Sequence, residues 1–541
     1  MENKEYMLID GNPVEINGEK NLLEVIRKAG IELPTFCYHS ELSVYGACRM
    51  CMVENSHGGM EAACSTVPKA GMEIYTNTER LHKHRKMILE LLLANHCRDC
   101  TTCQKNGKCR LQELASLFGL ESIRFKNLKP EPELDTSSLS IIRDAHKCIL
   151  CGDCVRMCNE IQNVGAIDFV NRGSKMVIGP AFNEPIANSP CVGCGQCAAV
   201  CPTGAIVIRK DTGRVWPELN DKNTKVVAQV APAVRVAMAK EFGLPENENS
   251  MGRITAALRR LGFDEVYDTA TGADLTVLEE SNEFLQRIEA GENLPLITSC
   301  CPAWIQYCEK NHPELMKNVS TCKSPMQMFS SVIKAKYATS SRRVVCVAVM
   351  PCTAKKFECA REEFMHDGVP ETDYVITTQE LIQMIHKAGI VFDELEPEAV
   401  DSVFSTCTGA GVIFGVTGGV TEAVLRRLST DKSKKALMSI AFNDVRGMKG
   451  VKETTIPYGD KEVRIAIVSG LKNAEKVIQA LKNGEHFDFV EVMACPGGCV
   501  AGGGQPFGTN ATKEVRGKAL YSVRRRAKGP CTRAAACALQ L

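Results

Sequence analysis

Cysteine is the residue through which this chain can do most of its chemistry. Twenty-eight of its 541 residues are cysteine, and most fall into short groups. The first is Cys37, Cys48, Cys51 and Cys64, spaced C-x10-C-x2-C-x12-C. The second adds an imidazole, as His96-x3-Cys100-x2-Cys103-x5-Cys109, with Cys97 beside the histidine. Two C-x2-C-x2-C-x3-C runs follow: Cys148, Cys151, Cys154 and Cys158, then Cys191, Cys194, Cys197 and Cys201, the latter followed by proline. Three further motifs hold the rest of the pattern: TSCCPAW (298–304), MPCTAKKFE (350–358) and EVMACPGGCVAGGGQP (491–506).

Disulfide scaffolds belong to short exported chains, whereas clustered thiols in a long chain without an export signal point to metal. Four thiolates in the first group suit zinc or a 2Fe–2S cluster. One imidazole and three thiolates suit a 4Fe–4S cluster, and replacing a thiolate by a neutral ligand makes a cluster easier to reduce. The two runs resemble a bacterial two-cluster ferredoxin, in which the fourth cysteine of each run serves the other cluster. One cluster then takes Cys148, Cys151, Cys154 and Cys201, and the other Cys191, Cys194, Cys197 and Cys158. Such a chain of clusters moves electrons singly and makes no bonds. A partner chemistry must lie beyond residue 210.

The adjacent pair Cys300-Cys301 asks for two different roles. Neighbouring side chains diverge, and a disulfide between them would be strained. In LEESNEFLQRI, Glu280, Glu283 and Arg287 fall at i, i+3 and i+7, on one face of a helix.

The elements that must carry these groups are legible from pattern. MLIDGNPVEIN alternates and turns at Asp10-Gly11, a hairpin signal. NLLEVIRKAGI predicts a short helix ending near Gly30, and residues 81–94 a longer one. KNLKPEPELDTSS (126–138) predicts a linker. Beyond residue 225, KVVAQVAPAVRVAM, RRVVCVAVMPC and VRIAIVSG predict buried strands and MGRITAALRRLGF a helix, so α/β architecture follows. The glycines of TGAGVIFGVTGG do not fit a dinucleotide fingerprint, so no nicotinamide site is expected. Lys+Arg is 65 against Asp+Glu 64, which gives no sign of nucleic acid or an acidic membrane as partner. No run approaches the roughly 18 apolar residues of a membrane span, and the polar start lacks a signal peptide. A soluble, cytoplasmic protein is expected.

The three late motifs, in this module order, resemble the signatures of iron-only (FeFe) hydrogenases, and PTFCYHSELSVYGACRMC resembles the 2Fe–2S domain of those enzymes and of respiratory complex I. The resemblance implies α+β iron–sulfur modules followed by a two-lobed α/β domain around the H-cluster. The modules are a β-grasp 2Fe–2S domain (1–78), a His/Cys 4Fe–4S domain (79–125) and a two-cluster 4Fe–4S ferredoxin domain (139–212). The catalytic domain (222–522) and a basic tail (523–541) follow. The H-cluster is a 4Fe–4S cluster joined to a diiron unit with carbon monoxide, cyanide and azadithiolate. Three accessory 4Fe–4S clusters and one 2Fe–2S cluster complete the implied set.

By resemblance, Cys301, Cys352, Cys495 and Cys499 match the ligands of the 4Fe–4S part, with Cys499 shared with the diiron unit. Met350 and Met493 match pocket lining, and Lys355 the donor to a cyanide. Cys300 matches the proton carrier, with Glu280, Ser320 and Glu283 as its path and Arg287 at the outer end. His96 rather than Cys97 matches the third cluster's ligand. Met326 stands where relatives often carry glutamine, so one hydrogen bond is expected to be missing. The tail with Cys531 and Cys537 departs from relatives that continue with further helices, and is expected to be disordered. Cys308, Cys322, Cys346, Cys359 and Cys407 match no ligand and are expected to pack as small apolar groups.

The implied activity is reversible oxidation of hydrogen to protons. Electrons would pass to ferredoxin or to a flavin-bearing NAD-linked subunit, and maturation proteins would supply the diiron unit. A hydrogen-sensing regulator and a hydrogenase-like iron–sulfur assembly factor are the alternatives. The relay cysteine and the Lys355 motif argue against both.

Overall fold

The computed structural model describes residues 5–129, 133–404, 409–428, 450–458 and 461–526. The tail cysteines Cys531 and Cys537, and Cys407, lie outside the described residues.

The N-terminal alternation becomes a hairpin, with Glu5–Ile9 antiparallel to Asn12–Ile16. Asp10 and Gly11 turn it at φ 49° and 82°, the left-handed pair that an Asp-Gly turn favours. These strands join Glu73–Tyr75, Met52–Asn55 and Met60–Ala62 in one five-stranded sheet. Helix Leu22–Lys28 packs its apolar face on the sheet and is capped by the Asn21 side chain. Helix Glu79–Ala94 starts at the Thr78 cap. Its buried Arg85 donates to the carbonyls of Met50, Met52 and Thr76, which ties it to the loop bearing Cys51.

The predicted linker is fastened down. Asp135 exchanges backbone hydrogen bonds with Arg143 and accepts from Ile186 N, and Lys129 Nζ reaches Cys148 O at 2.8 Å. Charged side chains that satisfy neighbouring backbone groups hold this polar segment in place. Residues 130–132 of it lie outside the described residues.

Strands Ile141–Arg143 and Ile206–Ile208 pair antiparallel under the two ferredoxin-like helices, Asp153–Arg156 and Gln196–Val200. The catalytic part holds two four-stranded sheets. In the first, Glu265–Asp268, Thr224–Val230, Arg343–Met350 and Tyr374–Thr377 run parallel. In the second, Leu296–Ile297, Phe489–Met493 and Lys461–Ser469 run parallel, with Val451–Tyr458 antiparallel at the edge. Thr224–Val230, Arg343–Met350 and Phe489–Met493 are largely buried and mostly apolar, whereas the edge strand Val451–Tyr458 is polar and partly exposed. The expected strands and the helix Met251–Arg260 are all present. Helix Asn510–Arg526 runs past residue 522 into the segment expected as tail. The glycine-rich stretch of 409–419 folds into short helical turns, where a Cβ on Gly411 would lie 2.2 Å from Ala270 O. Gly411 serves close packing against helix Ala270–Ala290, and Gly415 against Ala233 and Leu520.

Backbone contact fastens the ferredoxin-like part to the catalytic part. Ser140 Oγ donates to Thr353 O at 3.0 Å, Thr353 Oγ1 to Gly193 O at 2.7 Å, and Gln196 Nε2 to Ala501 O at 2.9 Å. A Cβ on Gly503 would stand 2.4 Å from Cys194 O and 2.9 Å from Gly195 Cα. Gly503→Ala is therefore expected to lower stability by about 1–3 kcal/mol, read as a lower midpoint in anaerobic denaturant unfolding. An unchanged midpoint would contradict this tight apposition.

Candidate functional site

The three late motifs sit at the C-terminal ends of parallel strands, where α/β sheets bind their ligands. TSCCPAW follows Leu296–Ile297, MPCTAKKFE begins at the end of Arg343–Met350, and ACPGGC follows Phe489–Met493. Their loops converge on one cavity of about 850 Å³. Cys300, Cys301, Cys352, Cys495 and Cys499 all face it, as do Lys355, Met350 and Met493. Pro232, Met326 and Phe414 complete much of the apolar wall. The Met326 side chain thus brings no hydrogen-bonding group to this wall.

Lys355 is buried and reaches Glu358 at 2.6 Å and Cys300 O at 3.3 Å. Burial alone would lower its pKa, but the Glu358 carboxylate beside it holds it above the usual lysine value. It remains a cation in the cavity wall. Burial pushes the thiols of Cys352 up to about 12, and those of Cys301 and Cys495 up as well, with the other thiols of the group adding to the effect on Cys352 and Cys495. Four such thiols together need a compensating metal charge to ionise. The set therefore fits an iron–sulfur cluster.

Helix Ala270–Ala290 carries the acidic stripe. Glu283 accepts from Ser320 Oγ at 2.7 Å and from Arg287 Nη2 at 2.6 Å, and Arg287 also donates to Asn318 O and Val319 O. Glu280 is fully buried, and neither of its carboxyl oxygens has a partner among the described residues. Burial, with repulsion from Glu283, pushes it up to about 8. Burial, then Glu280, also pushes the Cys300 thiol up. Burial thus favours the protonated form of both groups, and Glu280 stands near the hydrogen-bonded Ser320–Glu283–Arg287 set.

Cys322 is not mere packing, since its thiol faces Glu283 Oε2 at 3.7 Å. Cys308 and Cys346 are buried in the core, and Cys359 donates to Lys356 O at 3.2 Å. Glu491 opens the third motif, and sequence reasoning gives it no role. Fully buried, it accepts from Gly418 N, Thr421 N and Thr421 Oγ1 at 2.7–2.8 Å. It thereby caps the helix Gly419–Leu428 that follows Phe414. A glutamate inside an otherwise apolar strand was the available signal.

Three smaller cavities hold three of the four remaining groups. One of about 410 Å³ is lined by Cys148, Cys151, Cys154 and Cys201. Another of about 390 Å³ is lined by Cys158, Cys191, Cys194 and Cys197. The exchange of the fourth cysteine between runs is therefore present in the fold. Cys194 also lines the large cavity, so the second set abuts it. A cavity of about 270 Å³ is lined by His96, Cys97, Cys100, Cys103 and Cys109. His96 Nε2 is buried without a partner, and burial followed by Lys129 and Lys147 lowers its pKa to about 4. A neutral imidazole with an unused nitrogen fits a metal ligand.

Cys37 Sγ accepts from Cys48 N at 3.3 Å, and the Cys48 and Cys51 thiols push those of Cys37 and Cys64 up. This four-thiol group touches the first ferredoxin-like set, because Arg156 Nη2 donates to Cys37 O at 2.9 Å. The His96 group touches the same set from another side, where a Cβ on Gly204 would meet Cys103 Sγ at 2.6 Å.

Cysteine-lined cavities leading one to the next define an iron–sulfur electron-transfer protein with a larger reaction cavity at one end. The family model "Iron only hydrogenase large subunit, C-terminal domain" matches residues 224–503. Others match the NADH-ubiquinone oxidoreductase-G iron–sulfur binding region (85–124), a 2Fe–2S cluster binding domain (6–79) and a 4Fe–4S dicluster domain (147–210). The chain is 41% identical to the NADP-reducing hydrogenase subunit HndD of Solidesulfovibrio fructosivorans over 92% of this chain and 88% of that one. It is 35% identical to iron hydrogenase 1 of Clostridium pasteurianum over 95% and 92%. Among solved structures it resembles the apo [FeFe]-hydrogenase HydA1 from Chlamydomonas reinhardtii, with TM-score 0.51 and 35% identity over 60% of this chain and 91% of that one. The chain belongs to the iron-only hydrogenases and is an oxidoreductase of hydrogen. No helix among its described residues is long and apolar enough to cross a membrane.

The contrast between His96 and Cys97 can be measured directly. Cys97→Ser is expected to leave iron content unchanged, whereas His96→Ala perturbs one 4Fe–4S signal in electron paramagnetic resonance. The opposite pattern would make the site all-cysteine.

Proposed function

We propose that Cys301, Cys352, Cys495 and Cys499 hold an H-cluster with its carbon monoxide, cyanide and azadithiolate ligands. On the same reading, one 2Fe–2S and three 4Fe–4S clusters occupy the accessory groups. The convergence of five thiols and one buried cation on a single cavity carries this reading. When bound, the H-cluster supplies the centre at which hydrogen is interconverted with protons and electrons. Met350, Met493, Phe414 and Pro232 exclude water from it. Lys355 presents a fixed positive charge to a small anionic ligand.

Cys300 takes up or delivers the proton at its sulfur. Glu280 exchanges it with Ser320 and Glu283, and Arg287 holds Glu283 at the outer end. The separation of thiol from ligand answers why two cysteines stand side by side. Cys300→Ala is expected to keep the cofactor's infrared bands and lose at least ~100-fold in turnover, the low end for a missing general acid–base group. Cys301→Ala loses the bands themselves. Near wild-type hydrogen production by Cys300→Ala would remove Cys300 from the path.

Electrons pass from the large cavity through the Cys194 set to the Cys148 set. There the path divides toward the 2Fe–2S group and the His96 group, each touching that set. Two outer ends suit a chain that exchanges electrons with a separate redox protein in the cytoplasm, either ferredoxin or a flavin-bearing NAD(P)-linked subunit. The likeness to an NADP-reducing hydrogenase subunit supports the second, with maturation proteins supplying the diiron unit. The purified chain is expected to reduce one-electron dyes with hydrogen and to reduce NAD or NADP only when a flavin-bearing subunit is added. Direct nicotinamide reduction by the chain alone would refute the division of labour.

A further inference from the structure

The two ferredoxin-like halves carry the same cysteine spacing but are not equal. Cys201 is separated from Gly204-Ala205-Ile206 by two residues, Pro202 and Thr203, and Cys158 from Gly165-Ala166-Ile167 by six, Asn159 to Val164. The longer link widens into a π-turn over Met157–Ile161, and Gln162 N donates to Met157 O, five residues back, at 3.1 Å. Such turns recur at functional sites because the added residue re-aims the side chains after it.

Here it aims Gln162 into the wall of the cavity lined by Cys158, Cys191, Cys194 and Cys197. Gln162 is 1% exposed, and neither its amide nitrogen nor its amide oxygen has a hydrogen-bond partner among the described residues. A buried polar group left unsatisfied is costly, so a partner inside the cavity is called for. The rest of that wall is thiols and mostly apolar side chains. Gln196, the other amide there, already donates to Ala501 O. In the opposite half the short link carries Thr203, whose hydroxyl is used on Lys147 O at 2.7 Å. That cavity has no counterpart of the free amide.

We propose that Gln162 Nε2 donates a hydrogen bond to a sulfur of the cluster held by Cys158, Cys191, Cys194 and Cys197. The bond would raise that cluster's reduction potential above what its cysteines alone would set. The proposal rests on the reading that these four cysteines hold a 4Fe–4S cluster. Cluster sulfurs only accept, which turns the amide nitrogen toward them. A donor stabilises the reduced, more negative cluster more than the oxidised one, and hydrogen bonds to sulfur are a lever on potential. The tuned cluster is the one against the reaction cavity, so the amide holds an electron next to the chemistry.

The test is an anaerobic redox titration of the fully loaded protein, followed by paramagnetic resonance, with Gln162→Leu beside wild type. One 4Fe–4S signal is expected to become about tenfold harder to reduce, which for one electron is ~59 mV, while the others stay in place. An exchangeable deuteron coupled to that cluster in heavy water should be present in wild type and lost in the variant. Should Gln162→Leu lose iron, Gln162→Met keeps the length without any donor and should shift in the same direction. Full iron content with an unmoved midpoint and deuteron coupling would overturn the hydrogen bond alone. A wild-type protein lacking that cluster would overturn the cluster assignment and the proposal with it.

Discussion

Burial of thiols is the constraint on which the structure depends. A thiolate away from water is costly unless a cation shares its charge, and here the cysteines are gathered in sets of four. The cavities that hold them are small, enclosed and placed in succession, so each set lies against the next. Metal charge is the compensation that these sets require. The protein's folding and its electron path are therefore one problem, solved by the same residues.

The close succession depends on backbone meeting backbone. Gly503 lies against the backbone of Cys194 and Gly195, and Gly195 against the Thr353 side chain, so glycines let the ferredoxin-like helix come close to the reaction cavity. Electron transfer favours short separations, and glycine is the residue that permits them. The same economy appears at Gly411, where close packing fixes the helix that carries the acidic relay.

Buried polar groups of the iron–sulfur modules and the catalytic part divide by whether they are satisfied. Glu283, Arg287 and Glu491 have their partners and act as fixed structure. Glu280, His96 Nε2 and Gln162 lack them, and each stands where a proton or a cluster is expected. Unsatisfied groups buried at this depth are retained when function uses them.

The sequence by itself determined the cysteine groups and their order, because metal ligation calls for short and regular spacings. It also determined the principal strands and the first hairpin, since buried parallel strands and an Asp-Gly turn leave local marks. Tertiary structure decided what spacing cannot express. It brought TSCCPAW, MPCTAKKFE and EVMACPGGCV, up to 200 residues apart, to strand ends of two separate sheets around one cavity. It fastened Lys129 and Asp135 of the segment that composition marked as linker. It turned Cys322 toward Glu283, and left Gln162 without a partner. The physical reason is that burial and hydrogen-bond satisfaction are properties of neighbours in space, and one-dimensional pattern records only neighbours along the chain.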